Sequence, residues 1–315
     1  MVKKGVYDID VFVRFDKKYK DEELSKLLER ILKKIKKVSK IHGSRNYFRV
    51  KVTDNLFIEF IPVKKISKPS QAENITDMSY SHVKYIKSKI KSEKIKDDIR
   101  IAKAFCYATE TYGAESYIQG FSGYALELLI AYYGGFIKML RAIASHKISK
   151  EKIIIDIEKD YKNKKRVLMD INSAKLSSPI ILIDPTYSQR NALAALSNET
   201  LKKFQKAAKK FLKNPTISDF HIKKVDLERI KAQAKKKKLE FIKLIAKTNK
   251  QKGDIAGSKL KKFYKHLIKQ VEKYFDVKKS GFDYQGEKSS KMFFVLKSKK
   301  EITQQGPFVK DKKSV

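Results

Sequence analysis

The chain holds a single cysteine, Cys106, so neither an internal disulfide nor a thiolate zinc site can form from it. A reducing cytoplasm fits that poverty. Long apolar runs are missing as well: the longest nearly uninterrupted one, Leu128 to Ile137, falls well short of the roughly 18 residues a membrane span needs. The first residues carry no apolar signal stretch, and a soluble, cytoplasmic protein with no membrane partner is expected. No internal repeat and no Pro- or Ser-rich linker is found. Acidic residues are scarce: 35 Asp and Glu stand against 73 Lys and Arg, a formal charge of +38. Such an excess opposes compaction by self-repulsion and calls for a polyanionic partner, nucleic acid first, because each neutralised phosphate releases condensed counterions. Most of it is Lys, a point charge rather than a bidentate reader. Runs such as Lys33-Lys34-Ile35-Lys36-Lys37 and Lys235 to Lys238 are equally readable as solvated helix faces.

What is present suffices for folded domains: 315 residues, 42% of them apolar, predict two or three domains with real cores. Residues 1–66 predict strand, helix, strand, strand, as a small α/β unit on antiparallel strands. The elements are Tyr7-Asp8-Ile9-Asp10-Val11-Phe12-Val13-Arg14-Phe15, an amphipathic helix over 21–38, and a hairpin of 47–52 with 56–63. Residues 67–215 read as chiefly helical, with helices over 103–108, 125–133 and 191–212 and breaks at Gly113, Gly120 to Gly123, Gly134-Gly135 and Asp184-Pro185. Residues 216–315 mix a Lys-rich segment at 227–247, a helix at 259–274 and a strand at 292–296, as a separate α+β module.

The chemistry starts in the first strand. Alternation puts Asp8 and Asp10 on one face, Cα atoms roughly 6.6 Å apart, while Ile9, Val11, Val13 and Phe15 face the other. Two hard oxygen ligands so spaced suit a pair of Mg²⁺ ions about 3.5–4 Å apart, an arrangement that activates a hydroxyl and stabilises leaving pyrophosphate. Glu59 lies in Leu56-Phe57-Ile58-Glu59-Phe60-Ile61-Pro62, a strand expected to pair near the first. Turned inward, it needs a metal or an arginine; turned outward, it is an ordinary solvent-facing carboxylate.

The Asp8/Asp10 strand with a later strand carboxylate resembles the nucleotidyltransferase superfamily that includes poly(A) polymerases and CCA-adding enzymes. Further blocks follow in the order of archaeal-type, class I CCA tRNA nucleotidyltransferases. They are Asp77-Met78-Ser79-Tyr80-Ser81-His82, Lys103-Ala104-Phe105, Tyr112-Gly113-Ala114-Glu115, Gly120-Phe121-Ser122-Gly123-Tyr124, and Asp184-Pro185 through Arg190-Asn191. The resemblance spans nearly all of the chain, is weakest over 216–250, and returns at Asp254-Ile255-Ala256-Gly257-Ser258 and Gly306-Pro307. It implies a multidomain α+β fold. A nucleotidyltransferase-like α/β palm would occupy 1–66, a helical nucleotide- and tRNA-binding domain 67–215, and a C-terminal α+β tRNA-binding module 216–315. The implied activity is template-independent addition of C, C and A to the tRNA 3′ end, from CTP and ATP, with two Mg²⁺ ions. Asp8, Asp10 and Glu59 would hold the metals, and Ser79, His82, Lys103 and Tyr112 would contact the triphosphate. Arg190, with Asn191, would read the base together with the tRNA backbone. The chemical types suit these tasks: a mobile ammonium and directional hydroxyl and ring donors for a triphosphate, a rigid guanidinium fork for a base edge and a phosphate.

Three departures from the family pattern stand out. Glu59 occupies a position where Asp is usual, and Met78 and Asn46 replace an Arg and a His. The family's Gly-Ser loop has no counterpart ahead of the Asp-bearing strand, Lys4-Gly5 being its remnant, and its C-terminal tail is missing after Gly306-Pro307. A truncated or split gene product is therefore expected, with a separate N-terminal fragment as a partner and reduced nucleotide affinity and rate. The alternatives are a tRNA-binding fragment without catalysis and a poly(A)-polymerase-like enzyme that prefers one nucleotide. Family analogy alone points to a homodimer.

Overall fold

The computed structural model describes residues 7–43, 45–146, 152–222 and 225–302, so the readings that rest on Lys4-Gly5 and Gly306-Pro307 lie outside the described residues. Two compact units divide the chain, one of 1–114 with 118–222, the other of 115–117 with 223–315.

The first unit opens with β1 (Tyr7–Phe15), α1 (Asp21–Leu32), β2 (Val38–Ile41), β3 (Tyr47–Lys51) and β4 (Leu56–Lys64), a four-stranded sheet in the order β1-β4-β3-β2 with its helix. β4 pairs antiparallel with β3 but parallel with β1, which sets Asp10 opposite Glu59. The all-antiparallel expectation is thereby corrected: α1 and the β2–β3 hairpin together make the long crossover that a parallel pair requires. The helix expected over 21–38 also stops early. Its stripe of Leu24, Leu28 and Leu32 is buried, but beyond it Lys33, Lys34, Lys36 and Lys37 repel one another across a turn. Lys37 then adopts φ 60° and the chain turns into β2. Leu28, Leu32 and Phe48 close a core with Val13, Phe15 and Phe60. Asp8, Asp10, Phe12 and Arg14 are left exposed on the other face of β1, and Ile9, expected inside, is 49% exposed because this core closes under Val13 and Phe15.

One buried ion pair secures the end of this sheet. Arg45 donates to Asp77 through Nη1 at 2.6 Å and Nη2 at 3.2 Å, to the Pro62 carbonyl at 2.9 Å, and also to Asp21. Burial pushes the Asp77 carboxyl up, but the Arg45 hydrogen bonds and the N–H groups of Lys64 and Asn74 outweigh it and hold it below the ordinary range. Arg45→Met is expected to destabilise the protein by about 3–5 kcal/mol, by leaving Asp77 charged without its partner, and Arg45→Met with Asp77→Asn to recover part of that loss, because the amide removes the charge and keeps one acceptor for the N–H groups of Lys64 and Asn74. Urea unfolding of the three proteins checks this. The depressed carboxyl stabilises the fold above its unfolded value of about 4 and loses that contribution as pH falls below it, so the wild type, not the double variant, should weaken in acid.

The unit continues through α2 (Ser79–Lys89), α3 (Glu93–Ala108), α4 (Gly123–Tyr133), α5 (Phe136–Ser145), β5 (Ile153–Ile155), α6 (Lys164–Asp170), β6 (Ile180–Asp184), β7 (Tyr187–Asn191) and α7 (Asn198–Lys213). Phe105, Phe121, Leu126, Leu129, Met139 and Phe204 are buried in a single core. The chiefly helical reading needs a correction here, the sheet β5-β6-β7. Its centre, Ile180-Ile181-Leu182-Ile183-Asp184, is buried throughout. An apolar run that short has no period to separate helix from strand. Asn191, expected to begin a helix, ends β7, and the helix starts only at Asn198, where the Ser197 hydroxyl accepts from Thr200 N. Among the described residues no single helix is long and apolar enough to cross a membrane; the apolar pair α4 and α5 meets at 95°.

The second unit holds α8 (Leu227–Lys236), β8 (Glu240–Lys247), α9 (Asp254–Tyr274), β9 (Phe275–Tyr284) and β10 (Ser289–Ser298), with an antiparallel sheet in the order β8-β10-β9. β10 is covered on both faces: Ile230 and Ala234 of α8 pack on Phe293 and Val295, and Tyr264 of α9 packs on Met292, Phe294 and Leu296. That double covering is why 292–296 alone reads as an apolar strand, while β9, with Lys278 and Lys279, does not.

Candidate active site

Asp8 and Asp10 stand side by side on the solvent face of β1, and among the described residues neither is paired with a Lys or Arg. Partial burial and the charge of Asp8 raise the Asp10 carboxyl above the ordinary range, against the pull of Arg49. A pair so placed is short of positive charge. Glu59 is treated differently. Its cross-strand neighbour Arg49 donates to Oε1 from Nε at 2.7 Å and from a second guanidinium nitrogen. Burial still raises the Glu59 carboxyl, which Arg49 only partly offsets. Among the described residues no three His, Cys, Asp or Glu side chains converge as a cation set.

A second cluster gathers at the start of α4. Ser122 caps this helix, its hydroxyl accepting from Ala125 N. Gly123 lets Tyr112 and Lys103 approach: a Cβ there would lie 2.9 Å from the Tyr112 hydroxyl, which would have to shift, and 3.8 Å from Lys103 Nζ. Tyr112 and Lys103 therefore converge on a helix N-terminus, where the first N–H groups and the helix dipole favour an anion. Tyr112 stacks on Tyr107 with centroids 4.3 Å apart, and Lys103 Nζ lies 2.7 Å from Glu127 Oε1.

The third cluster centres on Asp184, which is fully buried. Its Oδ2 accepts from His82 Nε2 at 3.0 Å and Arg190 Nη1 at 2.5 Å. Its Oδ1 accepts from the Tyr124 hydroxyl at 3.0 Å and from the Thr186 hydroxyl and N–H at 2.8 and 2.9 Å. His82 stacks on Tyr124 at 4.0 Å, and the Arg190 guanidinium lies 6.0 Å from the same ring. Burial alone would raise the Asp184 carboxyl; His82, Arg190 and the Thr186 N–H overcome it and hold it well below the ordinary range. An ionised carboxylate only accepts, so His82 carries a proton on Nε2.

Residues 97–221 match the family model for the second domain of tRNA nucleotidyltransferase. The CCA-adding enzyme of Nanoarchaeum equitans is 35% identical over 84% of this chain and 63% of its own length. That of Methanocaldococcus jannaschii is 33% identical over 69% and 48%, and that of Saccharolobus islandicus 32% over 85% and 60%. The chain is similar in sequence to archaeal CCA-adding enzymes. It spans between 48% and 63% of the length of these three. A solved cytoplasmic RNA terminal U-transferase superposes with a TM-score of 0.48 and 12% identity, over 69% of this chain and 81% of that one.

Against this CCA-adding kinship, the remaining sequence candidates fall as follows. Ser79 opens α2 and lines a cavity beside β1. Asn191, coupled to Arg190 in the sequence reading, is 2% exposed with both ends of its amide in use. Its Oδ1 accepts from Leu182 N and Leu193 N, and its Nδ2 donates to the Lys175 carbonyl. Asn191 braces the exit of β7 against β6, its buried amide held by backbone groups. Three partners escaped the sequence reading: Arg49, Tyr124 and the carboxylate of Asp184. Arg49 was within reach, since it and Glu59 are equidistant from Asp54 at the hairpin turn, the register that an antiparallel pair adopts.

Proposed function

We propose that this chain is a CCA-adding nucleotidyltransferase of the cytoplasm, extending tRNA 3′ ends with C, C and A from CTP and ATP, and that Mg²⁺ is its cation. Kinship supports the activity, and the observation that carries the chemistry is the uncompensated Asp8–Asp10 pair on the open face of β1. Hard oxygens short of positive charge fit a divalent cation, and Glu59 would join them only by giving up Arg49. When bound, such ions acidify a hydroxyl and neutralise departing pyrophosphate. Lys103, Tyr112 and the first turn of α4 would receive the triphosphate, with Ser79 as a further donor. Arg190 would offer the free edge of its fork to the base and the tRNA backbone, its other edge fixed by Asp184. His82 spends Nε2 on the same carboxylate and would act chiefly by holding Tyr124 and Asp184 in place. In the transfer, the tRNA 3′ hydroxyl would lose its proton to solvent as its oxygen bonds to the α-phosphorus, and the bond from that phosphorus to the α–β bridging oxygen would break to release pyrophosphate.

Incubation with tRNA lacking its CCA end, Mg²⁺ and labelled CTP and ATP is expected to lengthen the tRNA by C, C and A, resolved at single-nucleotide length. A run of A with CTP unused would instead favour the poly(A)-type reading. The proposal extends by family analogy to a homodimer, which sedimentation checks.

A further inference from the structure

The face of β1 that carries the carboxylates continues into an aromatic cavity. Phe12 and Arg14 share that face with Asp8 and Asp10, and where it meets α2 a space of about 210 Å³ is lined by Phe12, Arg14, Val63, Ser79, Tyr80 and Val83. Phe12 is 36% exposed and Tyr80 61%, two large rings left open to solvent beside an acidic pair. The Arg14 guanidinium lies 4.9 Å from the centre of the Tyr80 ring, and among the described residues no carboxylate pairs with it. The other charges of the wall are spent, Lys64 on Glu73 and Asp77 on Arg45. The cavity is aromatic with one uncompensated positive charge.

We infer that it receives the 3′-terminal nucleotide of the RNA being extended, with the base stacked against Tyr80 and Phe12 and the phosphate on Arg14. The inference rests on the nucleotidyltransferase reading above. Same-face positions of a strand are roughly 6.6 Å apart, so Phe12 and Arg14 lie one and two such steps beyond Asp10. An RNA whose 3′ oxygen reaches Asp8 and Asp10 can therefore lay its last base and phosphate along these two side chains. A free triphosphate carries several negative charges, and this wall offers one unspent cation beside the hydroxyls of Thr76, Ser79, Tyr80 and Ser81. Stacking also tolerates any base, which suits an end whose identity changes with each addition.

The test uses an acceptor-stem RNA with 2-aminopurine as its 3′-terminal base, whose emission reports stacking, titrated into the full chain without nucleotide. Both test positions are exposed, and thermal melts verify the fold of Tyr80→Leu and Arg14→Gln. Wild type should change the emission on binding. Tyr80→Leu should lose most of that change and weaken RNA affinity about 5- to 100-fold, while Arg14→Gln should lower the salt slope of binding by about one. An emission change equal in wild type and Tyr80→Leu, no change in wild type at saturation, or a raised KM for CTP or ATP with unaltered RNA affinity overturns the inference. The titration needs no turnover, so a chain that stacks the RNA end but adds no nucleotide defeats the activity reading alone.

Discussion

Asp184→Asn is expected to lower the stability of the first unit and, on the proposed function, the rate of nucleotide addition. The buried carboxylate accepts from His82, Arg190, Tyr124 and Thr186, and an amide replaces one of its two acceptor oxygens by a donor. Whichever way that amide turns, a donor faces donors, and Arg190, with its side chain only 19% exposed, loses its counter-charge. Breaking such a pair costs about 3–5 kcal/mol, enough to lower the melting temperature by roughly 10 °C. Addition, measured where the variant is still folded, should fall by about 100-fold in kcat/KM with a raised nucleotide KM, because Arg190 and Tyr124 are no longer held in one geometry. A folded variant with unchanged nucleotide KM would reduce the cluster to packing. The acid limb offers an independent readout. The Asp184 carboxyl is depressed in the folded state, so its contribution is complete above the unfolded value of about 4 and is lost as pH falls below it. Asp184→Asn should flatten that limb.

Such a hub is invisible to a local reading of sequence. Besides Thr186 in the adjoining turn, its donors sit on α2, α4 and β7 and its acceptor on β6, and only the packing of these elements brings residue 82 to residue 184. Asp8 and Asp10 were legible for the opposite reason, since a strand's period of two assigns their face without any knowledge of the rest. The same holds for α7, whose Leu201, Phe204, Ala208 and Phe211 are buried at helical spacing. Position 191 marks the limit of that approach. Asn191-Ala192-Leu193-Ala194-Ala195-Leu196 has helix-forming composition, yet the Asn191 amide satisfies two backbone N–H groups and turns the chain out of β7. Arg45 is a further case, a charged loop residue whose burial depends on Asp77, which arrives from the turn of 75–78 that follows β4 and accepts from Lys64 N.

Asp8→Ala and Asp10→Ala should each reduce nucleotide addition by at least about 1000-fold, the largest loss expected from any single side chain. Cation-held charge stabilisation is worth several kcal/mol in the transition state, and each 1.36 kcal/mol is tenfold in rate. Stability should move the other way, which separates these variants from Asp184→Asn. Both side chains are exposed, and the Asp10 carboxyl is raised by partial burial and by Asp8, so at neutral pH its ionised form opposes folding. The sign follows from linkage: a carboxyl that binds its proton more tightly in the folded state penalises that state in full above its raised value, and the penalty fades as pH falls to the unfolded value of about 4. Removing either acid is therefore expected to leave the melting temperature at pH 7 unchanged or slightly higher, and to do least at low pH. Adding Mg²⁺ should raise the wild-type melting temperature and lose that effect in both variants, because a ligand that binds only the folded state stabilises it. An inactive Asp10→Ala that also melted well below wild type would place Asp10 in the support of the sheet, and a fully active one would remove the pair from the chemistry.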